Sequence, residues 1–412
     1  MSTHDRAHEA QETPYTLEPF AGGRRAVLRA AVAGVAGLAL TALGGLAAPQ
    51  EALVSYLTAF VYWLGIALGS LVLTMAFNAA GARWMIVLRR AMETMHASLP
   101  AFAVLFLPIL AFARKIFLWI EPPASLGKEE LKIIHEKHAY LNLGSFTVRA
   151  VIYFGIFLLV SWLLWTWSNR QDTATDATYS VALTRRQRAL SAAGLPFVGL
   201  ALTFAAFDWL MSLNPLFFST IFGIYYFAGA FLGAIAVLTI ATAAVRHAPG
   251  THGPFVSLAH YHNLGKLLLA FTAFWAYVTF SQYMLTWIAN LPEELSWFVA
   301  RTAGPWKPIW VLLIFGHFLV PFFLLLSRDL KLRPRALSVV AGWLLVACFI
   351  DTWWVVVPTF HPHGIFFHWT QVTALVGVGG IAISVALARA RGRFTVPVGD
   401  PFLPDSLRYT QP

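Results

Sequence analysis

Tyr62-Trp63-Leu64-Gly65-Ile66-Ala67-Leu68-Gly69 and Tyr226-Phe227-Ala228-Gly229-Ala230-Phe231-Leu232-Gly233 carry one pattern, a tyrosine followed at fixed spacing by two glycines. The same displacement carries His96 onto His260, each expected near the start of the next apolar segment. Farther along, Leu118-Trp119-Ile120 aligns with Thr286-Trp287-Ile288, and Phe207-Asp208-Trp209 with Ile350-Asp351-Thr352-Trp353. Matches that keep their order define an internal repeat, and a repeat of this length decides the architecture before any single motif does. With an even number of spans per copy, the copies are parallel, related by an axis along the membrane normal. The Gly-x-x-x-Gly spacing itself reads as a surface for close helix contact.

Composition names the solvent. Apolar residues make up 58% of the 412, charged residues only 12%, and the mean hydropathy is +0.66. A bilayer core takes about 20 apolar residues per helix. Ten stretches qualify: 25–47, 53–78, 92–113, 147–168, 189–210, 217–245, 265–289, 305–326, 336–357 and 367–388. They leave no room for a soluble catalytic domain. The expected fold is an all-α polytopic membrane protein of about ten transmembrane helices. Two four-helix repeats, about 53–210 (helices 2–5) and 217–357 (helices 6–9), are flanked by peripheral helices 1 and 10.

A net charge of +10 invites a nucleic-acid reading, but the charge is distributed by topology. With a cytoplasmic N-terminus, only Arg114, Lys115, Lys128, Lys132, Lys137, Arg149, Arg301 and Lys307 among the 29 Lys and Arg fall outside. That is the positive-inside rule, with both termini cytoplasmic. Arg24-Arg25 and the run ending at Ala47-Ala48 also resemble a secretory signal. The run is long for a signal, and its loss would leave nine helices outside the repeat, so retention is expected. Residues 1–24 read as a disordered cytoplasmic tail and 391–412 as a second cytoplasmic tail. Cys348 is the only cysteine. Disulfides, an iron–sulfur ligand set and covalent haem attachment are therefore not expected on this chain, and no metal site is.

A charge inside a spanning helix costs roughly 2.5–3.5 kcal/mol, so each one needs a partner or a function. Glu93 and His96 fall in the third helix, Asp208 in the fifth, His317 in the eighth and Asp351 in the ninth, with His260 and Lys266 as the second-copy counterparts of the Glu93 cluster. Together they trace polar steps from each face toward a mostly apolar centre, bridged by His317 and Tyr225 or Tyr226, as a proton path would. The plainer reading has Asp208 and Asp351 capping helix ends or paired with a nearby lysine or arginine. Lys266 and Arg149 sit at helix edges, where snorkelling is the simpler account.

The segment from Arg114 to Phe146 reads as an outer loop containing an amphipathic interfacial helix around Lys128–His138. His135, His138, Tyr140, Arg149 and Glu293 gather at the outer ends of the helices, where a quinone ring could find hydrogen-bonding partners and apolar walls. An ordinary interfacial belt of aromatic and charged residues is the competing account.

Two stretches resemble a known family. They are Phe207-Asp208-Trp209-Leu210-Met211-Ser212-Leu213-Asn214-Pro215 with Tyr225-Tyr226-Phe227-Ala228-Gly229, and His260-Tyr261-His262-Asn263-Leu264-Gly265-Lys266 with Phe280-Ser281-Gln282-Tyr283-Met284 and Trp287-Ile288-Ala289-Asn290-Leu291-Pro292-Glu293-Glu294. They resemble the polysulfide-reductase-like (NrfD-type) membrane subunits of alternative complex III, specifically the second, shorter one (ActF), over about residues 25–390. The resemblance implies two four-helix bundles with two peripheral helices in a bacterial inner membrane. It implies a subunit of a quinol:cytochrome c, or other quinol:acceptor, oxidoreductase in a respiratory or photosynthetic chain. Menaquinol or ubiquinol would be the substrate. Partners would be a longer sister NrfD-like subunit assigned the quinol site, an iron–sulfur subunit, and multihaem and monohaem c-type cytochromes, with membrane lipid around them. The shorter subunit would contribute a proton half-path and structural support. Two readings compete. Parallel repeats also build secondary transporters, and a b-type haem would need two facing histidines, for which only His96 and His317 offer themselves.

Overall fold

A computed structural model describes residues 19–123, 126–248, 250–290 and 292–410, with the side chains of 291–294 excluded. Most of the expected 1–24 tail therefore lies outside the described residues. Ten helices are long and apolar enough to cross a membrane: α1 Arg24–Ala47, α2 Pro49–Ala80, α3 Arg83–Ala111, α4 Leu143–Gln171, α5 Ala177–Leu213, α6 Phe222–Ala244, α7 Leu258–Ala289, α8 Gly304–Leu326, α9 Pro334–Thr359 and α10 Thr370–Ala390. Among the described residues there is no strand. The chain is an all-α polytopic membrane protein, as its apolar stretches require.

Several helices run past their apolar cores. α3 starts at Arg83, α5 at Ala177 and α7 at Leu258, well before the expected 92, 189 and 265. Arg, Gln, Leu and Ala favour helix whatever their polarity, and caps set the true ends. The Asp176 side chain accepts from the Thr178 N–H at 2.8 Å, and the Asn142 side chain from the Ser145 N–H at 2.8 Å. Gly81, at φ 63°, ends α2 in a left-handed conformation that suits glycine.

Helices α2–α5 pack on one another, as do α6–α9, and the two groups meet chiefly through α2 and α6. α10 lies against α2 and α1 against α10. The repeated glycines explain the central seam. A Cβ on Gly69 would stand 2.3 Å from the Ala230 carbonyl oxygen, and one on Gly233 would stand 3.2 Å from Ile66. Tyr226 donates its hydroxyl to the Val61 carbonyl across this seam at 2.6 Å, while its counterpart Tyr62 reaches the Leu345 carbonyl at 3.1 Å. A second seam, not anticipated, joins Gly34 and Gly37 of α1 to Gly377 and Gly380 of α10 at backbone contact.

Two spans are irregular. α3 is broken around Ala97–Ser98 and again at Phe106, just ahead of Pro100 and Pro108, because proline removes a donor and clashes with the preceding turn. α8 contains a π-helical segment, Ile314–Leu319, ahead of Pro321. The segments flanking α1 and α10 meet on one face: the Phe20 N–H donates to the Arg393 carbonyl at 2.8 Å and the Gly392 N–H to the Phe20 carbonyl at 2.9 Å. The C-terminal segment folds back over that terminal face, where Asp405 pairs with Arg83 at 2.7 Å and the Ser406 hydroxyl accepts from the Val87 N–H at 3.1 Å. On the distal face, the expected amphipathic helix forms at Lys128–Glu136 with Ile134 buried, and Lys137 Nζ ties its end to the Pro215 carbonyl at 2.7 Å.

Candidate functional site

Three buried polar centres occupy the helices. The first lies at the terminal face. Glu93, fully buried, stands 3.3 Å from Arg89 Nε and 3.1 Å from Arg90 Nη1. Arg89 also pairs with Asp400 of the folded-back C-terminal segment, and Arg90 with Asp172 at 2.5 Å. Gln171 accepts from Arg89 at 3.1 Å and from Gln187 at 2.9 Å. The apolar-stretch reading left Arg89 and Arg90 in a loop, yet their spacing to Glu93 at i+3 and i+4 on a helix was visible. Burial pushes the Asp172 carboxyl up to about 6, with Arg90 opposing. Each charge here has partners, so the centre reads as a clamp holding α3, the α4–α5 turn and the C-terminal segment together.

The second centre is Asp208, at the distal end of α5. Arg149 grips it through Nε at 2.8 Å and Nη2 at 3.0 Å, and the Tyr153 hydroxyl donates to it at 2.9 Å. Arg149 also donates to the Tyr140 carbonyl at 2.9 Å and lies 3.8 Å from the Tyr140 ring centroid. The expectation that Arg149 snorkels is therefore corrected. It turns inward because a forked guanidinium matches a carboxylate it can reach. Of the expected quinone-side residues, the structure joins Tyr140 and Arg149 to this pair. His135 and His138 stack on each other with centroids 6.5 Å apart and stay exposed. Glu293 falls in the Pro292–Thr302 helix, and its side chain lies outside the described residues.

The third centre is Asp351, in the distal half of α9, and it lacks what Asp208 has. The Tyr225 hydroxyl donates to Oδ1 at 2.5 Å and the Trp275 indole N–H to Oδ2 at 3.1 Å. No lysine or arginine lies within ion-pair distance among the described residues. Arg301 is buried nearby, but its Nη groups donate to the Trp297 and Val355 carbonyls at 3.1 and 2.8 Å and to the Thr359 hydroxyl at 2.7 Å, and none of them reaches Asp351. His317, in the π-helical segment, stacks on Trp275 with centroids 3.8 Å apart, and its Nε2 stands 3.6 Å from Cys348 Sγ. Its Nδ1 is buried without a partner. Asp351, Tyr225 and His317, grouped in the sequence as one polar trail, are thus linked through Asp351 and the Trp275 indole.

Cavities open on this centre. A void of about 30 Å³, enough for a water, is lined by Tyr62, Tyr225, Tyr226, Cys348 and Asp351 between α2, α6 and α9. An apolar pocket of about 290 Å³ between α7, α8 and α9 is walled by Trp275, Thr279, Tyr283, Trp310 and Phe318, with Asp351 also in its lining. A neighbouring one of about 310 Å³ has His317 in its wall.

The remaining sequence-chosen residues sit elsewhere. His96 lies at the first break of α3 with Nδ1 2.8 Å from the Ser161 hydroxyl. His260 is in the first turn of α7, where it caps with Ser257 at 2.8 Å and packs against Trp84 and Tyr409. The expectation that the two histidines are equivalent is corrected: one is mid-span, the other at a helix start. Lys266 lies near Lys331, far along α7 from Trp275. His96 and His317 face Ser161 and Trp275 in different bundles, so they do not form the facing pair a b-type haem needs. Among the described residues no three His, Cys, Asp or Glu converge as metal ligands. No protein-family model matches the chain, and no curated protein matches it.

Proposed function

We propose that this chain is a membrane subunit of a quinol:acceptor oxidoreductase, contributing a proton half-path and a pocket for the quinol ring in its second bundle. The observation that carries the reading is Asp351, a buried carboxylate with hydroxyl and indole donors but no cation, in the lining of an apolar pocket. An unpaired buried carboxylate is costly and serves best where a proton comes and goes. A hydroxylated ring entering between α7 and α8 would place a hydroxyl against that oxygen, with aromatic walls along its faces. Tyr225, the small void and the Tyr62 and Tyr226 hydroxyls then offer steps toward the interior, and the π-helical segment sets His317 beside the same indole. The distal belt of His135 and His138 is replaced in this role by the Asp351 pocket. Iron–sulfur clusters and c-type haems would sit on partner subunits. The carrier reading expects matched helix breaks in both repeats, but α7, the counterpart of broken α3, is continuous.

The test uses the assembled complex, isolated through this subunit with its iron–sulfur and cytochrome c partners. Asp351→Asn can accept from the Trp275 indole at its one oxygen and donate its amide to the Tyr225 hydroxyl, but it has no titratable proton. Quinol oxidation should fall about 10²-fold or more, or the proton-to-electron ratio should drop, with assembly intact. Normal turnover and an unchanged ratio would remove Asp351 from the path, and isolation without redox partners would overturn the assignment.

A further inference from the structure

A cavity of about 360 Å³ opens at the terminal face between α3, α6 and α10, one helix from each repeat and one peripheral helix. Its lining is mostly apolar, with Ala91, Met95, Val237, Ala241, Ile383 and Leu387 among it. Arg90, Thr251, His252, Arg393 and Thr395 add polar groups to the same wall. We propose that this cavity holds one acyl chain of an anionic membrane phospholipid, with the headgroup phosphate bound by Arg393.

Charge is the first argument. Arg90 is neutralised by Glu93 and Asp172. Arg389, Arg391 and Arg393 have no carboxylate within ion-pair distance among the described residues. Arg393 instead lies over the Trp165 ring at 5.4 Å, with its charge disfavoured by burial and by neighbouring Arg90 and Arg389, which Asp172 only partly opposes. An anion at this point relieves that repulsion. The second argument is a built donor: Arg90, 2% exposed and on the cavity wall, has a buried Nε with no partner. The third is the contact between the terminal segments, which ties the backbones of two lining residues, Phe20 and Arg393, by a hydrogen bond of 2.8 Å.

The shape decides between sources of the anion. Inorganic phosphate would satisfy the arginines and leave an apolar cavity unfilled within the span. A phospholipid fills both parts at the depth where headgroup meets chain. The volume suits one chain rather than two.

The whole chain, purified in detergent and stripped of lipid, should gain thermal stability saturably on adding phosphatidylglycerol. The gain should weaken at high salt. Phosphatidylcholine and sodium phosphate should give little. Native mass spectrometry of gently extracted protein should show an anionic phospholipid retained. The paired substitution Arg389→Gln and Arg393→Gln should lower affinity for phosphatidylglycerol about fivefold per arginine removed. Ala241→Phe, filling the cavity, should abolish the gain while leaving the fold unchanged by circular dichroism. Equal stabilisation by phosphatidylcholine, or by phosphate alone, would overturn the proposal. Undiminished binding in Ala241→Phe would do the same.

Discussion

Asp208 and Asp351 occupy corresponding places in the two repeats, and their partners assign them different work. Asp208 is held by a forked arginine and a tyrosine. Removing one member of such a buried pair costs roughly 3–5 kcal/mol. Asp208→Asn should therefore destabilise the protein by an amount of that order, while the molecules that remain assembled turn over normally. A stable, fully assembled Asp208→Asn complex with slowed turnover would return Asp208 to the proton path. Asp172 makes a pH prediction. Its carboxyl is raised to about 6 by burial, so the folded chain binds its proton more tightly than the unfolded chain does. This stabilising contribution is complete below the unfolded carboxylate range and is lost as pH rises through about 6. Thermal midpoints from pH 4 to 7 should show an extra downward slope in the wild type, worth about 3 kcal/mol in total, that Asp172→Asn lacks. Parallel curves would refute the coupling. Little of this was legible beforehand. That Asp208 needed a cation or a function follows from its burial, but Arg149 is 59 positions away and the choice between them is tertiary.

Helix–helix seams were more readable, because small residues at helical spacing admit few other purposes. The Gly-x-x-x-Gly pairs of α2 and α6 do face one another, although Gly229 turns instead toward Asp351 and Trp275. The distances rank the glycines. A methyl at Gly69 would meet the Ala230 backbone at 2.3 Å, which cannot yield without moving a helix, whereas at Gly65 it meets the Tyr226 hydroxyl at 3.1 Å. Gly69→Ala should thus cost about 1–3 kcal/mol and Gly65→Ala distinctly less, read as thermal midpoints in one detergent. Equal losses would mean that α2 and α6 do not approach as described. The seam between α1 and α10 escaped notice because its glycines are three apart rather than four, and its two halves lie at opposite ends of the chain. The breaks in α3 follow from its prolines, but the π-helical segment of α8 has no signature stronger than Pro321 downstream.

At the scale of the molecule, apolar length alone foretold ten spans, and the repeat foretold their division into two bundles. What composition could not supply is the closure of the terminal face, where Asp400 and Asp405 return to Arg89 and Arg83 across most of the chain's length. Exposed basic residues on the two faces make the orientation testable. Arg83, Arg185 and Arg333 are exposed on the terminal face and Lys132 on the distal one, and positive residues are retained on the cytoplasmic side. Cys348 is the only cysteine and is buried, so an introduced cysteine reports with little background. In intact cells, a membrane-impermeant maleimide should label Lys132→Cys directly and Arg185→Cys only after permeabilisation. The reverse pattern would invert the molecule. It would also place the Asp351 pocket, which lies in the distal half, near the cytoplasm, so that a proton released there could not reach the outer compartment by the short route through the distal ends of α6 and α9.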